Sequence, residues 1–210
     1  MKTRLAVLAL LLCTLRANGT GVQPTDDQID ALTQIDTMPT RPQLDLAFGA
    51  TGALGALLAI ARDASQGLDL QIRAIRALPQ YCAMPSCSGE PHDSLSGIVN
   101  SYLAVLPGPL PPRDMLRLRA AIEALGATRT GLAGDVHLLA VSQLLRHPNR
   151  DVQVTTVHAL RDVCSRGLCS RQSCTEDAAA VRVLRSSTGE TQLDAAINSA
   201  LQDLAQCDQP

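Results

Sequence analysis

Arg73-Ala74-Ile75-Arg76-Ala77-Leu78 lines up with Ala120-Ala121-Ile122-Glu123-Ala124-Leu125, and both line up with Thr155-Thr156-Val157-His158-Ala159-Leu160. A looser fourth copy, with one residue inserted, is Ala195-Ala196-Ile197-Asn198-Ser199-Ala200-Leu201. Small and apolar residues recur in each block at helical spacing, which predicts one buried stripe per block. The first three copies lie 47 and 35 residues apart. Periods of that size hold two helices each, and chains of this kind stack helix pairs side by side. Each of the first three blocks also follows an acid near its predicted start: Asp69, Asp114 and Asp151.

Composition agrees with an all-α reading. Of 210 residues 46% are hydrophobic and 18% charged, enough for a sizeable core. Phe48, Tyr81 and Tyr102 are the only aromatic residues. A core of Leu, Ala, Val and Ile suits close-packed helices better than an aromatic-rich β sandwich. Upstream of the blocks, Thr25-Asp26-Asp27-Gln28 has the form of a capping box ahead of Ile29, Leu32 and Ile35. Pro39 and Pro42 end that segment. A long apolar helix is expected from about Leu44 to Arg62, with Gly49, Gly52 and Gly55 allowing a neighbour close approach. Its apolar part is too short for a comfortable membrane span.

On these residues the chain resembles the HEAT-repeat family. Leu118-Arg119-Ala120-Ala121-Ile122-Glu123-Ala124-Leu125-Gly126 is similar to the second helix of such a repeat, V-R-x-A-A-x-x-A-L-G in outline. Ile72 to Leu78 is a shortened version. Asp135 to Arg146, the turn Pro148-Asn149-Arg150-Asp151, and Val152 to Val163 resemble one whole repeat of helix A, turn and helix B. The resemblance covers about residues 44 to 207. It implies a HEAT-like α-solenoid of antiparallel helix pairs over 44–210, preceded by a capping helix and linker over 20–43, and a binding or scaffold role. Some HEAT-like proteins are bilin lyases or hydroxylases, so an enzyme or enzyme accessory is the alternative. The hydroxylase kind needs His-Glu metal pairs, which this sequence lacks.

The N-terminus reads as an export signal over residues 1–19. Lys2 and Arg4 give a positive start, Leu5 to Leu12 is an apolar run, and Ala17 and Gly19 offer small residues for cleavage. Leu10-Leu11-Leu12-Cys13 leaves a second form of export open, a lipoprotein anchored at Cys13. The first nineteen residues carry Lys2, Arg4 and Arg16 and no acid, so their loss takes the net charge from −2 to −5. The remaining bases are all Arg and are dispersed among acids. No basic stripe points to nucleic acid, and without Lys there is no Schiff-base or P-loop lysine.

Six cysteines then remain: Cys82, Cys87, Cys164, Cys169, Cys174 and Cys207. An even set in an exported chain predicts three disulfides. Cys82 and Cys164 each lie four residues beyond a block's final Leu, and each is followed five residues later by another Cys. Repeat equivalence therefore pairs Cys82 with Cys87 and Cys164 with Cys169, leaving Cys174, just before a helix expected from about Thr175, with Cys207 to close a terminal hairpin. Arg129 stands at the equivalent place after the middle block. Zinc is the rival use of these residues, but C-x4-C is wider than the usual knuckle.

No catalytic, cofactor-binding or metal-binding residue is assigned. His137, His147 and His158 are not at the i, i+4 spacing of a helical ligand pair; His147 is expected in a solvated turn, His137 and His158 on helix surfaces. Glu90-Pro91-His92-Asp93-Ser94 holds His, Asp and Ser together, yet triads come from residues distant in sequence; Asp93 is expected to cap a helix from Ser94. What remains is a surface. Arg76, Glu123 and His158 share one rung position across the blocks, and with Arg73 they form a candidate face for an unknown protein partner.

Overall fold

The apolar stripes of the blocks all become buried helix faces. The computed structural model describes residues 23–33, 37–83, 87, 89–106, 108–129, 133–140, 143–164, 169–185, 189 and 191–207. Among these the regular elements are all helical: α1 (Asp26–Thr33), α2 (Arg41–Phe48), α3 (Ala53–Arg62), α4 (Leu68–Ala77), α5 (Glu90–Leu103), α6 (Pro112–Ala127), α7 (Ala133–Ala140), α8 (Arg150–Cys164), α9 (Arg171–Arg185) and α10 (Thr191–Cys207). Short 3-10 turns follow α4 at Leu78–Tyr81 and α7 at Gln143–Arg146.

The four block-bearing helices form a row in which α4 packs on α6, α6 on α8 and α8 on α10. A partner helix lies against each: α3 on α4, α5 on α6, α7 on α8 and α9 on α10. Ile75, Leu78, Ile122, Leu125, Val157, Leu160 and Ile197 are fully buried. Each fully buried side chain of this size is worth about 1.5–3 kcal/mol of transfer free energy. Asp69, Asp114 and Asp151 all fall in the first turns of their helices, where the positive end of the helix dipole favours an acid.

The N-terminal cap of α1 forms reciprocally. The Thr25 N–H donates to Gln28 Oε1 at 3.0 Å and the Gln28 N–H to Thr25 Oγ1 at 3.4 Å. The single helix expected from Leu44 to Arg62 is instead two helices, α2 and α3, bent by 88°. Gly49 breaks it by adopting φ +79°, a left-handed value that L side chains resist. Nor do Gly49 and Gly55 admit a neighbour: a Cβ on either would meet nothing within 4 Å, and one on Gly52 would meet only the nearby carbonyls of Phe48 and Gly49. The close approach lies at Gly126, where a Cβ would sit 2.6 Å from Ala159 Cα on α8. No single helix among the described residues is long and apolar enough to cross a membrane.

Two other helix starts differ from expectation. α5 begins at Glu90 behind Gly89, so Asp93 sits inside its first turn rather than capping it. α9 begins at Arg171, which places Cys174 within the helix and not before it. Disulfides join Cys82 to Cys87 and Cys164 to Cys169. Cys174 is disulfide-bonded as well; the side chain of its expected partner, Cys207, lies outside the described residues, as does the whole of the expected export signal.

Candidate interaction face

The rung position is exposed or half-exposed on each helix of the α4–α6–α8–α10 row. Arg76 and Glu123, at the same place in their blocks, meet across the α4–α6 seam. The Arg76 guanidinium donates to Glu123 Oε2 from Nε at 2.9 Å and from Nη2 at 2.6 Å. The next seams carry the same device. Arg119 Nη1 of α6 lies 3.1 Å from Asp151 Oδ2 of α8, and Arg161 Nε of α8 lies 3.7 Å from Asp203 Oδ2 of α10. Arg161 also pairs with its neighbour Asp162 at 2.9 Å. An Arg–carboxylate pair thus ties each helix of the row to the next. His158 is half-exposed at the third rung and Asn198 exposed at the fourth.

The Arg76–Glu123 pair is solvent-exposed, 41% and 53%, so it contributes little to stability. Arg76→Ala is expected to cost about 0.2–1 kcal/mol, and in a double-mutant cycle with Glu123→Ala the coupling should shrink with added salt. Coupling above that range, or insensitive to salt, contradicts a solvated rung.

Arg73 does not belong to the open face. Its Nη1 donates to the Leu32 carbonyl at the end of α1 at 3.1 Å, tying α1 to α4. Two arginines of α6 do the same for α3. Arg113 Nη2 donates to the carbonyls of Ala64 at 2.9 Å and Gln66 at 2.8 Å, and Arg117 Nη2 to that of Ala61 at 3.1 Å. A planar fork of donors can satisfy several helix-end carbonyls at once, which a lysine ammonium does less well. Sequence spacing could not separate these structural arginines from the rung arginines, because the difference is which helix end lies opposite.

The histidines do not converge on one another. His137 is exposed on α7, whereas His147 is buried rather than solvated. Its Nδ1 accepts the Asn149 N–H at 3.0 Å, and burial pushes its pKa below the ordinary value, so it is neutral near pH 7. In the Glu90–Ser94 run, His92 Nε2 lies 2.8 Å from Asp135 Oδ1 of α7 and Nδ1 lies 3.5 Å from Asp93 Oδ1. Ser94 Oγ is buried without a hydrogen-bond partner. Both imidazole nitrogens therefore face carboxylates, and the pattern needed to activate a serine is not formed here. The His92–Asp135 contact was invisible to sequence because its partners are 43 residues apart.

Among the described residues one group of metal-type ligands converges: the Sγ atoms of Cys164, Cys169 and Cys174, all within 4.8 Å of one another. All three are committed to disulfides. Compared with known proteins, the chain matches no family model and no curated protein.

Proposed function

We propose that this chain is an exported HEAT-like α-solenoid acting as a protein-binding or scaffold module without catalytic activity. The observation that carries the reading is the row itself: four helices bearing aligned blocks pack in chain order, with Arg76, Glu123 and Asn198 exposed at the equivalent position and His158 half-exposed. Stacked repeats of this kind present continuous surfaces to partners. The disulfides support an oxidising compartment, in keeping with the signal-like residues 1–19. The partner is a protein that reads an alternating arginine and carboxylate face, not nucleic acid.

A photo-crosslinking residue at His158 or at Asn198 tests the face in the native host. Both positions should give the same protein adduct, and position Leu46, 88% exposed on α2, should give none. Equal labelling at Leu46, or no adduct from either rung, rejects the proposed face. For export, N-terminal sequencing should show a mature chain beginning near Thr20. A chain starting at a lipid-modified Cys13 would mark the anchored form, and retention of Met1 in the cytosol would reject export altogether.

A further inference from the structure

Cys164 ends α8, Cys169 lies in the connection, and Cys174 sits in the opening turns of α9. Their Sγ atoms all lie within 4.8 Å of one another, and all three residues are buried. The spacing is C-x4-C-x4-C, so Cys169 is five residues from each neighbour and closes a loop of the same length with either. One turn further along α9, on the same helix face, is Asp177. It is fully buried, and neither of its carboxyl oxygens has a hydrogen-bond partner. A buried carboxyl without a partner is costly to keep.

We propose that Cys164, Cys169 and Cys174 form a thiol–disulfide exchange centre in which Asp177 accepts the proton of the attacking Cys174 thiol. The cycle starts when an external dithiol delivers two electrons and two protons to the disulfide made by Cys174, leaving two thiols and becoming a disulfide itself. The Cys174 proton passes to the Asp177 carboxylate. The Cys174 thiolate attacks Sγ of Cys169, the Cys169–Cys174 bond forms as the Cys164–Cys169 bond breaks, and Cys164 leaves as a thiolate that takes the proton back from Asp177. No net oxidation occurs in this second step; the disulfide has moved from the end of α8 to the start of α9. Such transfer requires the thiolate as nucleophile. Burial lifts Asp177 to a pKa of about 7, which brings it within roughly 1.5 units of an ordinary thiol, against more than four for an exposed carboxylate. The physical result is a redox-sensitive joint. Reduction frees Cys174 from its partner and releases the end of α8 from its loop, loosening the terminal pair α9–α10.

Cys207→Ser, which removes the partner expected for Cys174, tests exchange directly in the full chain, with acid quench, unfolding, alkylation and non-reducing peptide mapping. The free thiol should divide between Cys174 and Cys164, with a Cys169–Cys174 linked peptide in matching yield. A free thiol confined to Cys174 overturns the proposal. Should that variant fail to fold, limited dithiothreitol treatment of the unaltered protein gives the same readout: the Cys169–Cys174 peptide must appear with alkylated Cys164, and its absence overturns the exchange. Adding Asp177→Asn should leave the final distribution unchanged but slow its approach at least tenfold. An unchanged rate removes Asp177 from the mechanism.

Discussion

Between pH 4 and pH 8 the protein should lose about 3–4 kcal/mol of stability through Asp177 alone, and Asp177→Asn should abolish that loss. The carboxyl is fully buried on α9 with no hydrogen-bond partner for either oxygen. Burial raises its pKa from 3.8 to about 7, because the charged form loses its hydration. The unfolded chain gives up this proton near pH 4, while the folded chain holds it until about pH 7. Over that interval the native state binds more protons than the unfolded state, so stability falls as pH rises. The fall ends once the folded carboxyl is itself ionised. Other carboxyl groups titrate over the same range, so the measured quantity is a difference of differences. Urea unfolding of both proteins at pH 4 and pH 8, with disulfides intact, isolates the contribution. A difference below about 1 kcal/mol would mean that Asp177 is hydrated or paired in solution.

Gly126→Ala should destabilise the protein by about 1–3 kcal/mol, although alanine is the better helix former by about 1 kcal/mol. A Cβ at this position would lie 2.6 Å from Ala159 Cα, 2.9 Å from its Cβ and 3.1 Å from its carbonyl oxygen. Two of those three atoms are backbone, so α6 and α8 must separate and the row opens at its middle seam. Ala159→Gly deletes only the Cβ and should not rescue the variant. Gly55→Ala is the opposite case. Gly55 lies within α3, and its added methyl would meet nothing within 4 Å, so propensity alone should raise stability by about 0.5–1 kcal/mol. Thermal unfolding under fixed conditions compares the three. Rescue by Ala159→Gly, or stabilisation by Gly126→Ala, would falsify the close contact.

The helices themselves were legible in sequence because they rest on local chemistry. The block stripes at Ile75, Ile122, Val157 and Ile197, the Thr25–Gln28 capping box and the first-turn acids each act within a few residues of chain. The pairings Cys82–Cys87 and Cys164–Cys169 were legible because two aligned blocks carry the same C-x4-C insert at the same place. Arg76 and Glu123 were placed on a common rung by alignment, yet their meeting depends on α4 lying beside α6. Arg73 shares that neighbourhood in sequence and was turned away from the face by the Leu32 carbonyl, a partner 41 residues distant. The break at Gly49 shows the limit within a single segment. Leu44 to Arg62 is apolar enough for one helix, but the chain turns by 88° so that α3 can bury Leu57, Leu58 and Ile60. Residue types and spacing fix what a segment can bury. Which helix end, seam or carboxyl lies opposite is decided only when the segments pack, and that decision set the His92–Asp135 contact, the Gly126 approach and the isolation of Asp177.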